Sequence, residues 1–188
     1  MSSVTTLRSR PTMADIDTML EDSRYLDETQ QELLVDTLRA ENERIHGVYR
    51  NALATLCAAL AAVFVYLAVH QVLYPYMAET HAFLSSAVSS THIVSMHLVA
   101  AVGLFASALY ITRMGDAWLA ISLLFAALPA LYWSYKFSAF VTYPTHIIWL
   151  PGTNAAMCAI TWYVKRGCEQ LENDVSELRS YMYAYKGA

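Results

Sequence analysis

The sequence predicts an all-α polytopic membrane protein, with four transmembrane helices and a cytoplasmic amphipathic helix at each end, and three observations carry that expectation. Between residues 51 and 164 only Glu79, Arg113, Asp116 and Lys136 are formally charged, and each falls in a gap between long apolar runs. A run of about 20 apolar residues rising ~1.5 Å each matches the ~30 Å hydrocarbon core of a bilayer. The composition agrees: 56% of the 188 residues are hydrophobic and 15% charged, which suits one membrane-embedded unit better than a soluble core.

Residues 1–26 form an acidic segment expected to be flexible. Its start holds Arg8, Arg10 and several Ser and Thr without an acid, a faint likeness to a transit peptide that Asp15 interrupts. Asp27-Glu28-Thr29-Gln30 reads as a capping box and opens an amphipathic helix over 27–50. Leu34, Leu38, Ile45 and Val48 line one narrow stripe on it, broken by Glu41, and Gly47 is placed to hinge the helix where it meets the membrane.

Residues 51–164 form the bundle, with spans at 52–74, 91–112, 117–135 and 145–164. Pro129 predicts a mild bend in the third span. Pro151-Gly152 makes the fourth either a kinked span or a short one preceded by an interfacial piece over 137–149. Arg44 and Arg50 precede span one, Arg113 joins spans two and three, and Lys165 and Arg166 follow span four, against Lys136 alone on the other side. The positive-inside bias therefore puts both termini in the cytoplasm, or in the matrix of a mitochondrion. Tyr and Trp residues, among them Tyr74, Tyr110, Trp118, Trp133 and Trp162, gather near the expected span ends, where amphipathic rings anchor at the interface.

After span four, Cys168, Leu171, Val175, Leu178, Met182 and Tyr185 recur at spacings of three and four through 165–188. This heptad-patterned helix covers under three heptads, too few to stand alone as a coiled coil, so its seam needs a partner. The partner is either the 27–50 helix, paired antiparallel as a stalk, or another protein docking on Leu34, Leu38, Ile45, Val48, Leu171, Val175, Leu178, Met182 and Tyr185. A helix lying flat on lipid is disfavoured by polar faces rich in Glu and Asp.

Several function classes lack support. The ends carry the acids, ten of sixteen between Asp15 and Glu43, and no basic block suggests nucleic acid. Cys57, Cys158 and Cys168 have no repeated spacing, so neither a disulfide framework nor a zinc knuckle is indicated. There is no nucleophile elbow and no phosphate-binding glycine loop, and no span holds a carboxylate for an ion-coupled carrier. The short segments on the non-cytoplasmic side exclude a large lumenal domain.

Histidines are the sharpest chemical candidates. His70, His81, His92, His97 and His146 all map to the non-cytoplasmic half or its loop, and His70, His92, His97 and His146 are the residues that a metal or haem would use there. His97 lies deepest, and an ionisable group inside a span is a functional hypothesis by default. Against a metal, His92 and His97 are five residues apart, roughly 140° around a helix, and no multi-histidine box is present. The competing reading is histidines that hydrogen-bond across helices or face interfacial water, so no metal and no cofactor is expected.

Ala54, Ala58 and Ala62, Gly103 with Ser107, and Asn154 are expected to pack helices, the small residues by close approach and Asn154 by an interhelical hydrogen bond. The resulting expectation is a non-enzymatic accessory, scaffolding or assembly subunit of a larger membrane complex. It would contact membrane lipids and other membrane subunits or further copies of itself. The endoplasmic reticulum is the expected membrane and the mitochondrial inner membrane the alternative. A membrane redox or metal or haem enzyme using the four histidines is the main rival. A lipid-binding or lipid-transfer module, with a lateral groove at Pro151-Gly152, is a third.

Overall fold

A computed structural model describes residues 28–82, 84–113, 115–138 and 149–184. All the regular structure among them is helical: α1 (Glu28–Leu73), the single turn α2 (Glu79–Ala82), α3 (Ser90–Arg113), α4 (Asp116–Ser138) and α5 (Trp149–Ala184). The segment 1–26, Asp27 of the capping box, His146 and Tyr185 lie outside the described residues.

Three helices are long and apolar enough to cross a membrane, namely 32–73 of α1, 90–112 of α3, and α4. The second and third lie within a few residues of the expected 91–112 and 117–135, whereas the first begins at 32 rather than 52, because the preceding amphipathic segment and the span are one helix. The fourth long helix, α5, is not among them. Its described apolar part, 149–164, rises only ~24 Å and includes Pro151, Gly152 and Asn154, so the expected span over 145–164 reaches into residues not described.

At two junctions between the expected segments the helix is continuous. The 27–50 helix and the first span form one helix, α1, with no break at Gly47. The fourth apolar run and the heptad helix are likewise one helix, α5. Neither junction holds a proline, and a single glycine costs a helix only about 1 kcal/mol relative to alanine, too little to end a ladder supported on both sides.

The chain divides into two compact units, residues 48–167 and a second unit made of 1–47 with 168–188. In the first, α3 is the central helix: 56% of its apolar window is buried, against 22% in α1 and 22% in α4, and it packs along α4. The core joins Cys57, Ala61 and Phe64 of α1, Ile93, Ala100 and Leu104 of α3, Trp133 and Phe137 of α4, and Leu150 and Met157 of α5. Leu84 and Val88 of the α1–α3 connection bury there too. Outward faces are apolar as well, with Val63, Tyr66 and Val69 on α1, Phe105 on α3 and Leu124 and Leu131 on α4 all exposed, the pattern of helices solvated by lipid rather than water.

In the second unit the described parts are 28–47 and 168–184. Its surface pairs are short-range: Arg39 donates to Glu43 at 3.1 Å and Arg44 makes a two-point contact with Glu41 at 2.9 and 2.5 Å. The Arg44 guanidinium holds the Glu41 carboxyl below its usual range.

Candidate functional site: polar groups buried in the bundle

A buried polar group costs stability unless it is hydrogen-bonded, so the polar side chains inside the 48–167 unit mark where chemistry or specificity has been placed. They form three groups.

The first sits where the α1–α3 connection folds onto the bundle. Tyr74-Pro75-Tyr76-Met77 makes a turn in which the Met77 N–H donates to the Tyr74 carbonyl at 3.2 Å. Tyr76 has φ 61° there, a left-handed conformation that costs a non-glycine residue of the order of 1 kcal/mol. Two hydrogen bonds hold it: its N–H donates to Gln71 Oε1 at 3.2 Å and its hydroxyl to the Val88 carbonyl at 2.9 Å. The amide of the fully buried Gln71 also donates to Ser90 Oγ at 3.0 Å. This network brings His81 of α2 against His97 of α3, their Nε2 atoms 2.8 Å apart, one donating to the other. Both rings are 0% exposed and neither Nδ1 has a hydrogen-bond partner. Burial holds His81 below its ordinary pKa, and charge on His70 acts in the same direction.

Among the expected metal candidates that are described, His97 therefore meets His81 rather than His70 or His92. His92 is exposed, and its ring lies edge-on to Tyr132 at 6.1 Å between centroids, as the 140° separation from His97 requires. His70 lies between Tyr66 of α1 and Tyr74 just past the end of that helix, with centroids 5.9 and 5.4 Å away. Among the described residues no three of His, Cys, Asp and Glu converge closely enough to hold a metal.

The second group lies midway along the bundle. Pro129 lies inside α4, and a proline has no N–H to give the carbonyl four residues earlier; that carbonyl belongs to Phe125. The Asn154 side chain on α5 donates to it at 3.0 Å. Asn154 also lies against Gly103 on α3, so closely that a Cβ on Gly103 would stand 2.6 Å from its Nδ2. One turn on, Ser107 donates to the Gly103 carbonyl at 3.1 Å and pairs with Ser122 of α4 at 2.6 Å. Gly103, Ser107 and Asn154 thus meet in one layer spanning α3, α4 and α5.

The third group caps the opposite end of the bundle from the α1–α3 connection. Lys165 of α5 is buried, with its ammonium 4.1 Å from the centroid of Tyr110 of α3 and 3.8 Å from the carboxylate of Asp116 at the start of α4. Asp116 is 96% exposed, so the ring face rather than the ion pair carries most of this contact. In the sequence Lys165 marks orientation and Tyr110 an interfacial anchor, and a separation of 55 residues gives no local signal of contact.

The remaining packing candidates fall elsewhere. Ala54 is half-buried against the core, whereas Ala58 and Ala62 are exposed. The buried face of α1 is Cys57, Ala61, Phe64 and Ala68, because Phe64 offers more apolar area than the alanine stripe and turns its own side of the helix inward. Of the docking candidates, Leu34, Leu38 and Val175 are half-buried, while Ile45, Val48 and Leu171 are exposed; Leu178 and Met182 continue α5. Set against protein-family models, curated proteins and solved structures, the chain matches none of them.

Proposed function

We propose that this chain is a four-span integral membrane protein of the endoplasmic reticulum, both termini in the cytoplasm, that acts without catalysis as an accessory, scaffolding or assembly subunit of a larger membrane complex. The observation that carries this reading is that 28–47 and 168–184, far apart in sequence, belong to one compact unit separate from the bundle. A scaffold needs a rigid membrane part and an extramembrane part with apolar surface to spare. Ile45 and Leu171, 38% and 49% exposed within that second unit, supply such surface outside the apolar spans. The distribution of Lys and Arg supports the orientation, and the polar layers inside the bundle connect helices to one another rather than lining a reaction centre.

The test is affinity purification from native membranes in mild detergent, comparing the full chain with one lacking 168–188. The truncated protein is expected to insert and to co-localise with an endoplasmic reticulum marker, but to lose its co-purifying subunits. Recovery of every native partner by the truncated chain would overturn the docking role of α5. Stoichiometric metal or haem in the purified full chain would overturn the non-catalytic reading.

A further inference from the structure

The connection between α1 and α3, residues 74–89, is held to the bundle by polar pins rather than by length of contact. Tyr76 binds Gln71 and Val88, and Gln71 binds Ser90. The remaining pin, His81 to His97, joins two ionisable imidazoles.

His97 lies seven residues into α3, ~10 Å from the start of the helix, and is fixed by the rigid span. Its ring is flanked by Phe64 of α1 at 5.6 Å between centroids, and Phe64 in turn meets Trp149 of α5. His81 sits on a single helical turn in the connection and is the member of the pair able to move. The ionisable group facing His81 from α1 is His70. From α4, the Lys136 ammonium stands over the Tyr132 ring at 6.0 Å, and among the described residues no carboxylate joins the two imidazoles. With one proton shared between the two Nε2 atoms, one Nδ1 is a donor and the other an acceptor, and neither is paired. A second proton would put a full positive charge between two fully buried rings.

We propose that the His81–His97 pair is a proton-sensitive latch: it holds the 74–89 connection onto the bundle and releases it when the membrane face carrying that connection becomes acidic. The latch stands whether or not the chain serves as an assembly subunit. Docked, His81 is held below its ordinary value of 6.5 by burial and by His70. Released into water, it regains that value and binds the proton more tightly than the docked form does. Docking is therefore fully favoured above pH 6.5 and weakens as the pH falls through that value, levelling off below the docked-state pKa. One such histidine shifts the equilibrium by at most tenfold per pH unit, so by at most about 30-fold between pH 7.5 and 5.0. Release uncovers Leu84 and Val88, which are buried in the docked form.

The experiment uses the full chain in lipid nanodiscs with chelator present throughout, so that protons are the only titrant. Amide hydrogen exchange of peptides within 74–89 is measured at pH 7.5 and 5.0 and corrected for the intrinsic pH dependence. A corrected rate that rises about tenfold or more at pH 5.0 is expected for the wild type. His81→Gln with His97→Gln keeps an amide-to-amide hydrogen bond and removes the titration, and should stay protected at both values. His70→Gln should retain the response. Equal protection of the wild type at both pH values, or a double variant that responds as the wild type does, would overturn the latch. Should the double variant be unprotected even at pH 7.5, nitrogen-15 ring shifts of the wild-type histidines decide. Imidazole protonation that tracks the opening supports the latch, and opening without it refutes it.

Discussion

Asn154 closes the hydrogen bond that Pro129 opens: its amide donates at 3.0 Å to the Phe125 carbonyl, the oxygen that a non-proline residue at 129 would satisfy from within α4. In lipid no water is at hand for an orphaned carbonyl, so these two residues should be energetically coupled despite lying on different helices. Asn154→Ala is expected to destabilise the bundle by about 1–2 kcal/mol. Pro129→Ala restores the backbone donor and should recover most of that loss in the double variant, while doing little alone. A double-mutant cycle by reversible unfolding in mixed micelles measures the coupling, and strict additivity would refute it.

The same asparagine makes Gly103 a site of steric control. A Cβ at 103 would meet Nδ2 at 2.6 Å and Oδ1 at 3.0 Å, and the amide is tethered to α4, so it cannot swing aside freely. Gly103→Ala should cost about 1–3 kcal/mol as α3 and α5 are forced apart. Adding Asn154→Ala should remove the steric part of that cost. A Gly103→Ala protein with an unchanged unfolding midpoint would show that α5 shifts without penalty.

Ser107 and Ser122 should respond unequally to loss of their hydroxyls. Ser107 commits its only proton to the Gly103 carbonyl, so Ser122 must donate across the 2.6 Å contact between α3 and α4. Ser122→Ala then removes a donor and leaves Ser107 bonded, a loss of about 0.6 kcal/mol. Ser107→Ala strands a buried donor and should cost about 1–2 kcal/mol. Unfolding of the two single variants under identical conditions tests the order, and the reverse order would mean that the proton points the other way.

These contacts also show what was readable in the sequence. The break between α3 and α4 follows from where Arg113 and Asp116 stand, and Glu79 and Lys136 mark the regions of the other two gaps, since charge in lipid is costly, whereas no such charge marks where the first span begins within α1. Gly103, Ser107 and Asn154 were identifiable as packing residues, because small and amide side chains inside a span have few other uses. What joined them was not legible. Asn154 answers a carbonyl 29 residues away that Pro129 sets free, and no periodicity within α5 refers to α4. His97 was readable as buried, but its partner was not: helical geometry ruled out His92, while His81 lies in a connection whose path depends on tertiary packing. Of the alanine stripe, Ala54 packs on the core while Ala58 and Ala62 face outward. Small residues permit a neighbour but do not attract one, and Phe64 decides which face of α1 turns inward.

The two compact units divide at Gly47 in α1 and at Gly167 in α5. Both glycines are helical, and nothing stands within 4 Å of a Cβ added at either. Alanine there meets no steric cost and gains the helix preference that glycine lacks, so each substitution should stabilise its helix by about 0.5–1 kcal/mol. Natural sequences keep a helix-weakening residue inside a helix when bending is needed, which separates two roles. If the glycines serve only as helical residues, Gly47→Ala with Gly167→Ala raises protection from hydrogen exchange around both sites and leaves partner recovery intact. If they serve as hinges, the same stiffening lowers partner recovery while stability still rises. We expect the second pattern, because a stable helix with glycine at both unit boundaries is otherwise a loss without return. A double variant that is more stable and recovers its partners undiminished would reduce both glycines to neutral positions.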